Sequence, residues 1–281
     1  MAAFSVIALG AVVLPAVLLV VAAAAPVSRA RVARFALRQQ LVITPGNGDR
    51  VIAYLATIRR WRVAGLITVW IIGLAWLAYS ITAQDAAEGE FPFVFLFAGW
   101  FVGAILAEAH LARRPAGTRR HAALTPRDLA SYLPRFARAV VPTAIAISLT
   151  IGSASVVLAA WGHVDVATAI GAQLVALAIT AAVWVVGRYV LRRPQPVLPS
   201  DEQAADDAIR SRALHVLAGS GVTLIMYAVN YQLSAIPLLP DRTLAVVTFV
   251  IAIGAPLLGW RIATAPWVVQ RSAERTAAAD L

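Results

Sequence analysis

The sequence predicts an all-α integral membrane protein, a polytopic bundle of seven transmembrane helices with short amphipathic lead-in helices on the cytoplasmic side. Three observations support this fold class: the composition, seven long apolar runs, and the distribution of arginine. Of the 281 residues, 60% are hydrophobic and only 14% are charged, whereas soluble domains are about 45–50% apolar and about 25% charged. A water-soluble core of this size could not hide so much apolar surface, but lipid can solvate it.

Seven apolar runs give the predicted spans. Each comes near the ~20 residues that a helix, rising 1.5 Å per residue, needs to cross about 30 Å of hydrocarbon. In chain order the runs are Val6–Ala25, Val63–Ile81, Phe91–Leu111, Ala139–Trp161, Val166–Leu191, Ala213–Tyr231 and Leu244–Trp260.

The first run must be distinguished from a cleaved signal peptide, which begins with positive charge and ends in a small-residue cleavage site. Residues Met1–Ser5 carry no basic side chain, and Arg29 and Arg31 follow the run closely. This order of charge predicts a retained anchor whose N-terminus is translocated. The Ala22–Ala25 stretch keeps cleavage open as the alternative.

All 24 basic residues are arginine, and their positions predict the orientation. With the N-terminus outside and the C-terminus inside, every arginine except Arg242 lies in the cytoplasm, as the positive-inside bias requires. The outward segment Ser80–Glu90 accordingly carries three carboxylates and no arginine. Because this alanine- and arginine-rich, lysine-free usage is typical of GC-rich bacterial genomes, we expect a multi-pass protein of the bacterial cytoplasmic (inner) membrane.

The net charge of +10 would raise nucleic acid as the partner of a soluble protein. Here the arginines flank the apolar runs, so anionic headgroups of the cytoplasmic leaflet explain the charge better. We expect membrane lipid at these arginines and no nucleic-acid binding, and we leave a protein partner or a homo-oligomer open. The chain has no cysteine, which excludes disulfides, thiolate metal sites and a cysteine nucleophile.

A weak internal repeat divides the predicted single membrane domain, residues 1–281, into a lone helix and three helical hairpins. Asp49–Arg60 resembles Arg127–Arg138 at a shift of 78 residues, with Tyr54 aligned to Tyr132, and Asp206–Leu217 is a weaker third copy. The predicted units are a lone helix at 1–28 and hairpins at 45–115, 126–194 and 199–267. The alternative is that short amphipathic entries with arginines recur at any inner loop of a membrane protein.

The repeated segments are the amphipathic lead-ins. Their apolar residues recur at intervals of three and four, which places them on one face of a helix. In the first copy we expect Val51, Leu55 and Ile58 to lie at the acyl boundary while Arg50 and Arg59 reach lipid phosphates. Such lead-ins anchor the inner loops to the membrane surface without requiring a specific lipid site.

Polar side chains inside the predicted spans are the candidates for a solute path, because ionisable groups there are costly and usually functional. Glu108 lies near the inner end of the third span. It either couples protons in a cavity or, as we prefer, pairs with a neighbouring arginine. Gln173 in the fifth span and Asn230 in the sixth are the uncharged side chains best placed to line a cavity. Glu108, Gln173 and Asn230 are therefore the candidate cavity-lining residues.

Small residues at helical spacing predict close helix packing. Gly99 and Gly103 lie four positions apart in the third span, a spacing that lets two backbones approach. Ser148, Gly152 and Ser155 recur at intervals of four and three along the fourth span. Packing explains these faces better than a substrate path does.

No catalytic constellation is complete, so we do not expect an enzyme. Gly219-Ser220-Gly221 resembles part of an intramembrane serine-nucleophile motif, but Ala218 stands where its first glycine belongs, and no histidine follows in the last span to act as a base. The four histidines lie in separate segments without metal-ligand spacing, and the chain has no lysine for a phosphate-binding loop. We expect no catalytic residues, no cofactor and no metal.

The sequence does not identify a biochemical role, and it leaves two classes of function. The preferred one is a non-catalytic membrane subunit or helper that packs against partner proteins, because the chain has small-residue faces and no soluble domain. The alternative is a small-solute or lipid transporter, which the internal repeat favours. A water-filled cavity beside Gln173 would favour transport, and a close-packed interior would favour the helper.

The predicted orientation can be tested with reporter fusions. A periplasm-active enzyme fused near Glu88 should be active, because that segment is predicted to face outwards, and the same enzyme fused near Gly117 should be silent. Activity is measured in whole cells, with the amount of each fusion checked by immunoblotting. The reverse pattern would overturn the topology and every argument made from charge.

Overall fold

The computed structural model describes residues 17–82, 94–113, 120–121, 128–196, 199–234, 236 and 240–266. Within them the regular structure is helical apart from one pair of two-residue strands, so the predicted all-α class is confirmed. The helices are α1 (17–24), α2 (Arg29–Gln39), α3 (Gly48–Thr82), α4 (Val94–Ala112), α5 (Arg135–Ala160), α6 (Val166–Arg192), α7 (Ser200–Ser234) and α8 (Asp241–Thr264). The strands β1 (Arg120–His121) and β2 (Gln195–Pro196) pair antiparallel and join the segments that follow α4 and α6.

Four helices in the described part of the chain are long and apolar enough to cross a membrane. They are Arg135–Ala160, Val166–Arg192, Ser200–Ser234 and Arg242–Thr264, and they contain the last four predicted runs except Trp161, which follows the first of these helices. Phe97–Ala112, within α4, is a shorter apolar helix. The predicted first run and lone helix lie largely outside the described residues, as does most of the outward segment Ser80–Glu90.

Gly162 and Asp165 build the turn between α5 and α6. Gly162 has a φ of +77°, a left-handed conformation that strains other residues, so the chain can reverse directly after α5. Asp165 then caps α6, because its carboxylate accepts hydrogen bonds from the backbone N–H and the hydroxyl of Thr168 at 2.7 and 2.8 Å. These hydrogen bonds hold the pKa of the Asp165 carboxyl below its usual range, and the bond from the backbone N–H has the larger effect. Local chemistry therefore sets the predicted start of α6 at Val166.

Two of the three amphipathic lead-ins continue directly into the apolar run that follows. α3 and α7 are each 35 residues long, so lead-in and span form one helix. The second lead-in differs from the prediction: Leu129–Ser131 form a 3₁₀ turn, and α5 begins only at Arg135. Pro134 explains the break, because a proline disfavours helical backbone at the residue before it.

The apolar faces of the lead-ins contact protein. Val51 is fully buried and Ile58 nearly so, in one core cluster with Leu133 and Ile209 from the other two copies. Leu55 is half-buried against the same cluster. The expectation that this face lies at the acyl boundary is therefore wrong for Val51 and Ile58. An apolar face suits lipid tails and protein side chains alike, and here the other lead-ins occupy it.

α7 is the central helix of the bundle. It contacts α4, α5, α6 and α8, and it touches α3. In its most apolar stretch 89% of the residues are buried, against 11–28% in the other three membrane-length helices. Small residues on opposite faces of α7, such as Gly219 and Ala228, let its neighbours approach closely. The outer helices instead expose large apolar side chains such as Leu174 and Phe249.

Contacts near the helix termini define two ends of the bundle. At one end, the arginine-rich end, Tyr54 early in α3 meets Glu108 late in α4, and Arg210 early in α7 meets the carbonyl of Val190 late in α6. At the opposite end, Gln173 early in α6 meets Gln232 late in α7. α3 and α4 therefore run antiparallel, and so do α6 and α7.

Glycine lets helices touch backbone to backbone. A Cβ atom added to Gly65 of α3 would lie 2.8 Å from the Cα atom of Gly103, and one added to Gly99 would collide with the carbonyl oxygen of Gly65. The predicted packing residues Gly99 and Gly103 thus lie in a contact too close for a side chain. α7 and α8 meet in the same way, because a Cβ atom on Gly219 would collide with the carbonyl oxygen of Gly259.

Substituting Gly103 tests this contact. We expect Gly103→Ala to destabilise the protein by about 1–3 kcal/mol, because the added methyl group pushes α3 and α4 apart. Gly171→Ala is the matched control, since a Cβ atom there meets nothing within 4 Å and alanine favours the helix by about 1 kcal/mol. Thermal unfolding in detergent, followed by circular dichroism, measures both. A Gly103→Ala variant at least as stable as the Gly171→Ala variant would contradict the close contact.

Candidate functional site

A buried carboxylate lies at the arginine-rich end of the bundle. Asp206 of α7 is 0% exposed, and three arginines bind it. Arg50 Nη2 and Arg193 Nη2 each lie 2.6 Å from Asp206 Oδ1, and Arg210 Nη2 lies 3.0 Å from Asp206 Oδ2. These arginines come from α3, from the residue after α6 and from α7. One carboxylate therefore ties three parts of the chain together, and the cluster keeps a net charge of +2 (three arginines against one aspartate).

Arg210 has a second role at the end of α6. Its Nη1 atom donates hydrogen bonds to the carbonyl oxygens of Val190 at 2.8 Å and of Leu191 and Arg193 at 3.1 Å. The last carbonyls of a helix have no partner within the helix, and they carry partial negative charge. The buried guanidinium of Arg210 therefore supplies both the missing donors and the complementary charge.

Glu108 lies at the same end of the bundle as the Asp206 cluster, but its partner is not the arginine that we expected. It is buried, and its Oε1 atom accepts a hydrogen bond of 2.8 Å from the hydroxyl of Tyr54. Among the described residues, the ion pair with an arginine that the sequence suggested is not formed; the pairs found are those of Asp206. The Glu108–Tyr54 bond instead joins α4 to the lead-in part of α3.

Gln173 lies in a packed contact at the opposite end. Gln232 Nε2 donates a hydrogen bond of 2.9 Å to Gln173 Oε1. Gly152 of α5 makes room for this pair, because a Cβ atom there would collide with Gln173 and lie 3.1 Å from Gln232 Nε2. Asn230 is half-buried, and its Oδ1 atom has no hydrogen-bond partner in the described part of the chain. The structure thus places Glu108 at the end of the bundle opposite to Gln173 and to the part of α7 that carries Asn230.

The small residues of α5 lie on its buried face. Ser148, Gly152 and Ser155 are all buried, together with Ala137 and Ala144. Ser155 Oγ donates to the carbonyl oxygen of its own helix at Ile151, at 2.9 Å. At Gly152 this face meets Gln173 of α6 and Gln232 of α7, and α5 contacts both of those helices.

A groove opens between α5, α6 and α7. Its volume is about 840 Å³, and apart from Thr180 its walls are apolar except near the arginine-rich end. There the side chains of Arg138, Arg188 and Arg192 line it. The apolar wall includes Val141, Ile145, Leu177, Trp184, Leu217 and Ile225. None of the three predicted cavity-lining residues borders this groove.

Sequence reasoning missed both the Asp206 cluster and the groove. The spacing of Asp206 and Arg210 by four residues within an alanine-rich lead-in could have indicated an intrahelical pair. The contact from Arg50 to Asp206 spans 156 residues, and no local pattern encodes it. The groove forms between three helices, and its lining is apolar like any lipid-facing surface.

The buried carboxylate can be tested by removing it. Asp206→Ala leaves three guanidiniums without a counter-charge, and breaking a buried pair in this way costs about 3–5 kcal/mol. Asp165→Ala, which removes only an exposed helix cap, should cost about 1 kcal/mol. Thermal unfolding of the two variants in the same detergent gives the comparison. Equal midpoints would show that Asp206 does not hold the bundle together.

Comparison of the chain with models of protein families, with curated proteins and with solved structures gives no match. In the described part of the chain, no group of three or more histidine, aspartate and glutamate side chains could hold a metal ion. The arginine-rich end of the groove brings guanidinium groups beside apolar side chains, an arrangement that suits an anionic amphiphile.

Proposed function

We propose that the chain forms a single membrane domain of seven spans, with the N-terminus outside and the C-terminus inside a bacterial cytoplasmic membrane. Four membrane-length apolar helices in the described residues support this. Leu174 and Phe249, each more than half exposed, are suited to contact acyl chains. The distribution of arginine supports the orientation.

Within that membrane, we propose that the protein is a non-catalytic lipid-handling protein that holds an anionic amphiphile in the groove between α5, α6 and α7. The single observation that carries this proposal is an apolar groove of about 840 Å³ with three arginines at one end. Along α6 the lining runs from Leu177 to Arg192, which is roughly 22 Å at 1.5 Å per residue. That length suits an acyl chain, and the arginines suit its headgroup.

The arginines of the groove are available to a headgroup. Arg138, Arg188 and Arg192 are exposed, and none of them takes part in the ion pairs found in the described residues. Arg188 stacks over the ring of Trp184 at 4.8 Å, which holds its guanidinium beside the apolar wall. Charge-assisted hydrogen bonds from such groups to phosphate oxygens are among the strongest in proteins.

The surroundings of Ser220 and His215 support a role without catalysis. Both side chains are buried, and neither lines the groove. His215 Nδ1 lies 2.8 Å from the carbonyl oxygen of Ser211, one turn earlier in the same helix. A serine nucleophile needs its base within hydrogen-bond reach and an opening for substrate.

A second candidate is the non-catalytic helper that packs against partner proteins. The close packing of Gln173 against Gly152 and Gln232 favours it over a transporter of polar solutes, because no cavity opens beside Gln173 in the described part of the chain. Purification in mild detergent followed by mass spectrometry tests it. A stoichiometric protein partner would favour the helper, and bound lipid without such a partner would favour the lipid-handling role.

Filling the groove tests the lipid-handling proposal. Gly187 lines the groove, and a Cβ atom there meets nothing within 4 Å. Gly187→Trp should therefore fold normally but retain much less co-purified anionic lipid, as measured by native mass spectrometry. Gly171→Trp is the matched control, because it lies on the same helix in open space away from the groove. Equal lipid retention by the two variants would count against the groove as the site.

A further inference from the structure

A second cavity lies at the arginine-rich end, between α2, α3 and α7. Its volume is about 160 Å³. Four arginines line it, together with an amide and an apolar ring: Arg31, Arg34, Arg38 and Arg212, with Gln39 and Phe35. None of these residues borders the groove described above, so this arginine pocket is a separate feature.

α2 is docked in a way that fixes one wall of the pocket. The ring of Phe35 is buried and packs against the ring of Tyr54, with centroids 6.1 Å apart. Gln40 then ends the helix in a left-handed conformation, with a φ of 50°. Arg31, Arg34 and Arg38 follow one another at intervals of three and four, which brings them to the same face of α2. Three guanidiniums thus converge there with Arg212 of α7.

The charge of the pocket is not balanced within the described residues. The ion pairs found there all involve Asp206, and Glu108 acts on Arg212 only from beyond ion-pair distance, so four positive charges face one more distant carboxylate. The Nη1 atom of Arg212 is buried and has no hydrogen-bond partner in the described part of the chain. Converging positive charges repel one another, and an anion placed between them would relieve the repulsion.

Gln39 indicates what kind of anion fits. Its side chain is 2% exposed, and among the residues that the structure describes neither its Nε2 nor its Oε1 atom has a hydrogen-bond partner. A buried amide without partners is unfavourable, so it calls for a ligand that both accepts and donates hydrogen bonds. Inorganic phosphate does so near neutral pH, because it keeps a P–OH group even as a dianion, and a phosphomonoester does so in its monoanionic form, below its second pKa of about 6. A sulfate ion and a phosphodiester have no such hydroxyl.

We propose that the arginine pocket binds a terminal phosphate group, either inorganic phosphate or the phosphomonoester headgroup of a lipid. The guanidinium forks of Arg38 and Arg212 donate to two phosphoryl oxygens, and Arg31 and Arg34 close the open side. Gln39 Nε2 donates to a third oxygen, and Gln39 Oε1 accepts from the P–OH group. The pocket is therefore selective for phosphate over sulfate.

Two probes distinguish the sources of the phosphate. Inorganic phosphate is titrated calorimetrically into the full-length protein in neutral detergent, with sulfate as the comparison ion. Phosphatidic acid, which has a phosphomonoester headgroup, is added to the same sample for native mass spectrometry, with phosphatidylglycerol as the phosphodiester comparison. Phosphate binding alone assigns the pocket to a soluble ligand, and selective phosphatidic acid binding alone assigns it to a lipid. Either result supports a terminal-phosphate site.

Variants localise the binding to the pocket. Arg38→Gln and Arg34→Gln should each weaken binding roughly tenfold or more, the usual effect of losing a charge-assisted hydrogen bond. Arg60→Gln is the control for charge, because Arg60 is exposed and lies outside the pocket. Gln39→Leu should weaken binding while leaving the unfolding midpoint unchanged or raised, since it removes a buried amide that has no partner. Gly187→Trp, which fills the groove, should bind phosphate like the unaltered protein.

Three outcomes would overturn the proposal. The first is that neither inorganic phosphate nor phosphatidic acid binds. The second is that Arg60→Gln weakens binding as much as Arg38→Gln does, which would reduce the effect to overall charge. The third is that sulfate binds as tightly as phosphate and that, in the Gly187→Trp variant whose groove is filled, phosphatidylglycerol binds as tightly as phosphatidic acid. Gly187→Trp alters only the groove. If the lipid-handling proposal fails, phosphate binding at the arginine pocket can therefore still be measured and interpreted by itself.

Discussion

A carboxylate withdrawn entirely from solvent is stable only if positive charge meets it, and in this protein that requirement organises the arginine-rich end. Asp206 draws its partners from all three of the predicted hairpin units: Arg50 from 45–115, Arg193 from 126–194, and Arg210 from its own unit at 199–267. Arg210 then extends the network to the last carbonyls of α6. The ends of three helices are thus fixed around one charge. Both proposed binding sites lie at this end, the groove on one side of α7 and the arginine pocket on another.

The central place of α7 follows from the size of its side chains. A helix surrounded on every side must offer small residues to several neighbours at once, and α7 does so at Gly219, where α8 approaches backbone to backbone. The pair α3 and α4 meets in the same way through Gly65 and Gly103. These two glycine contacts join helices within the first and third predicted units. The first and third units therefore resemble each other in structure as well as in their weak sequence repeat. The division into three units remains a proposal, and it is based on that repeat.

The positions of the helices could be predicted because lipid-length apolar runs and turn chemistry are local signals. α6 begins at Val166, as predicted, since Asp165 caps it. The environment of each face could not be predicted in the same way. Val51 was expected at the acyl boundary and is instead buried in protein, because periodicity separates apolar from polar but not lipid from protein. The partner of Glu108 could not be predicted either. Its position near the inner end of a span follows from the sequence, but Tyr54 lies 54 residues away, and only tertiary packing brings the two side chains together.

The reach of the Asp206 network along the chain has a consequence for how the protein is made. Arg50 is synthesised 156 residues before the carboxylate that neutralises it, which at 5–20 residues per second is a delay of roughly 8–30 s. Throughout that interval the growing chain carries Arg50 without its counter-charge, and Arg193 joins it 13 residues before Asp206 is made. The bundle can close at this end only when α7 arrives, so an unfinished chain differs from a finished one by an exposed positive cluster. Any factor that recognises such a cluster could distinguish incomplete chains from complete ones before they are released into the bilayer.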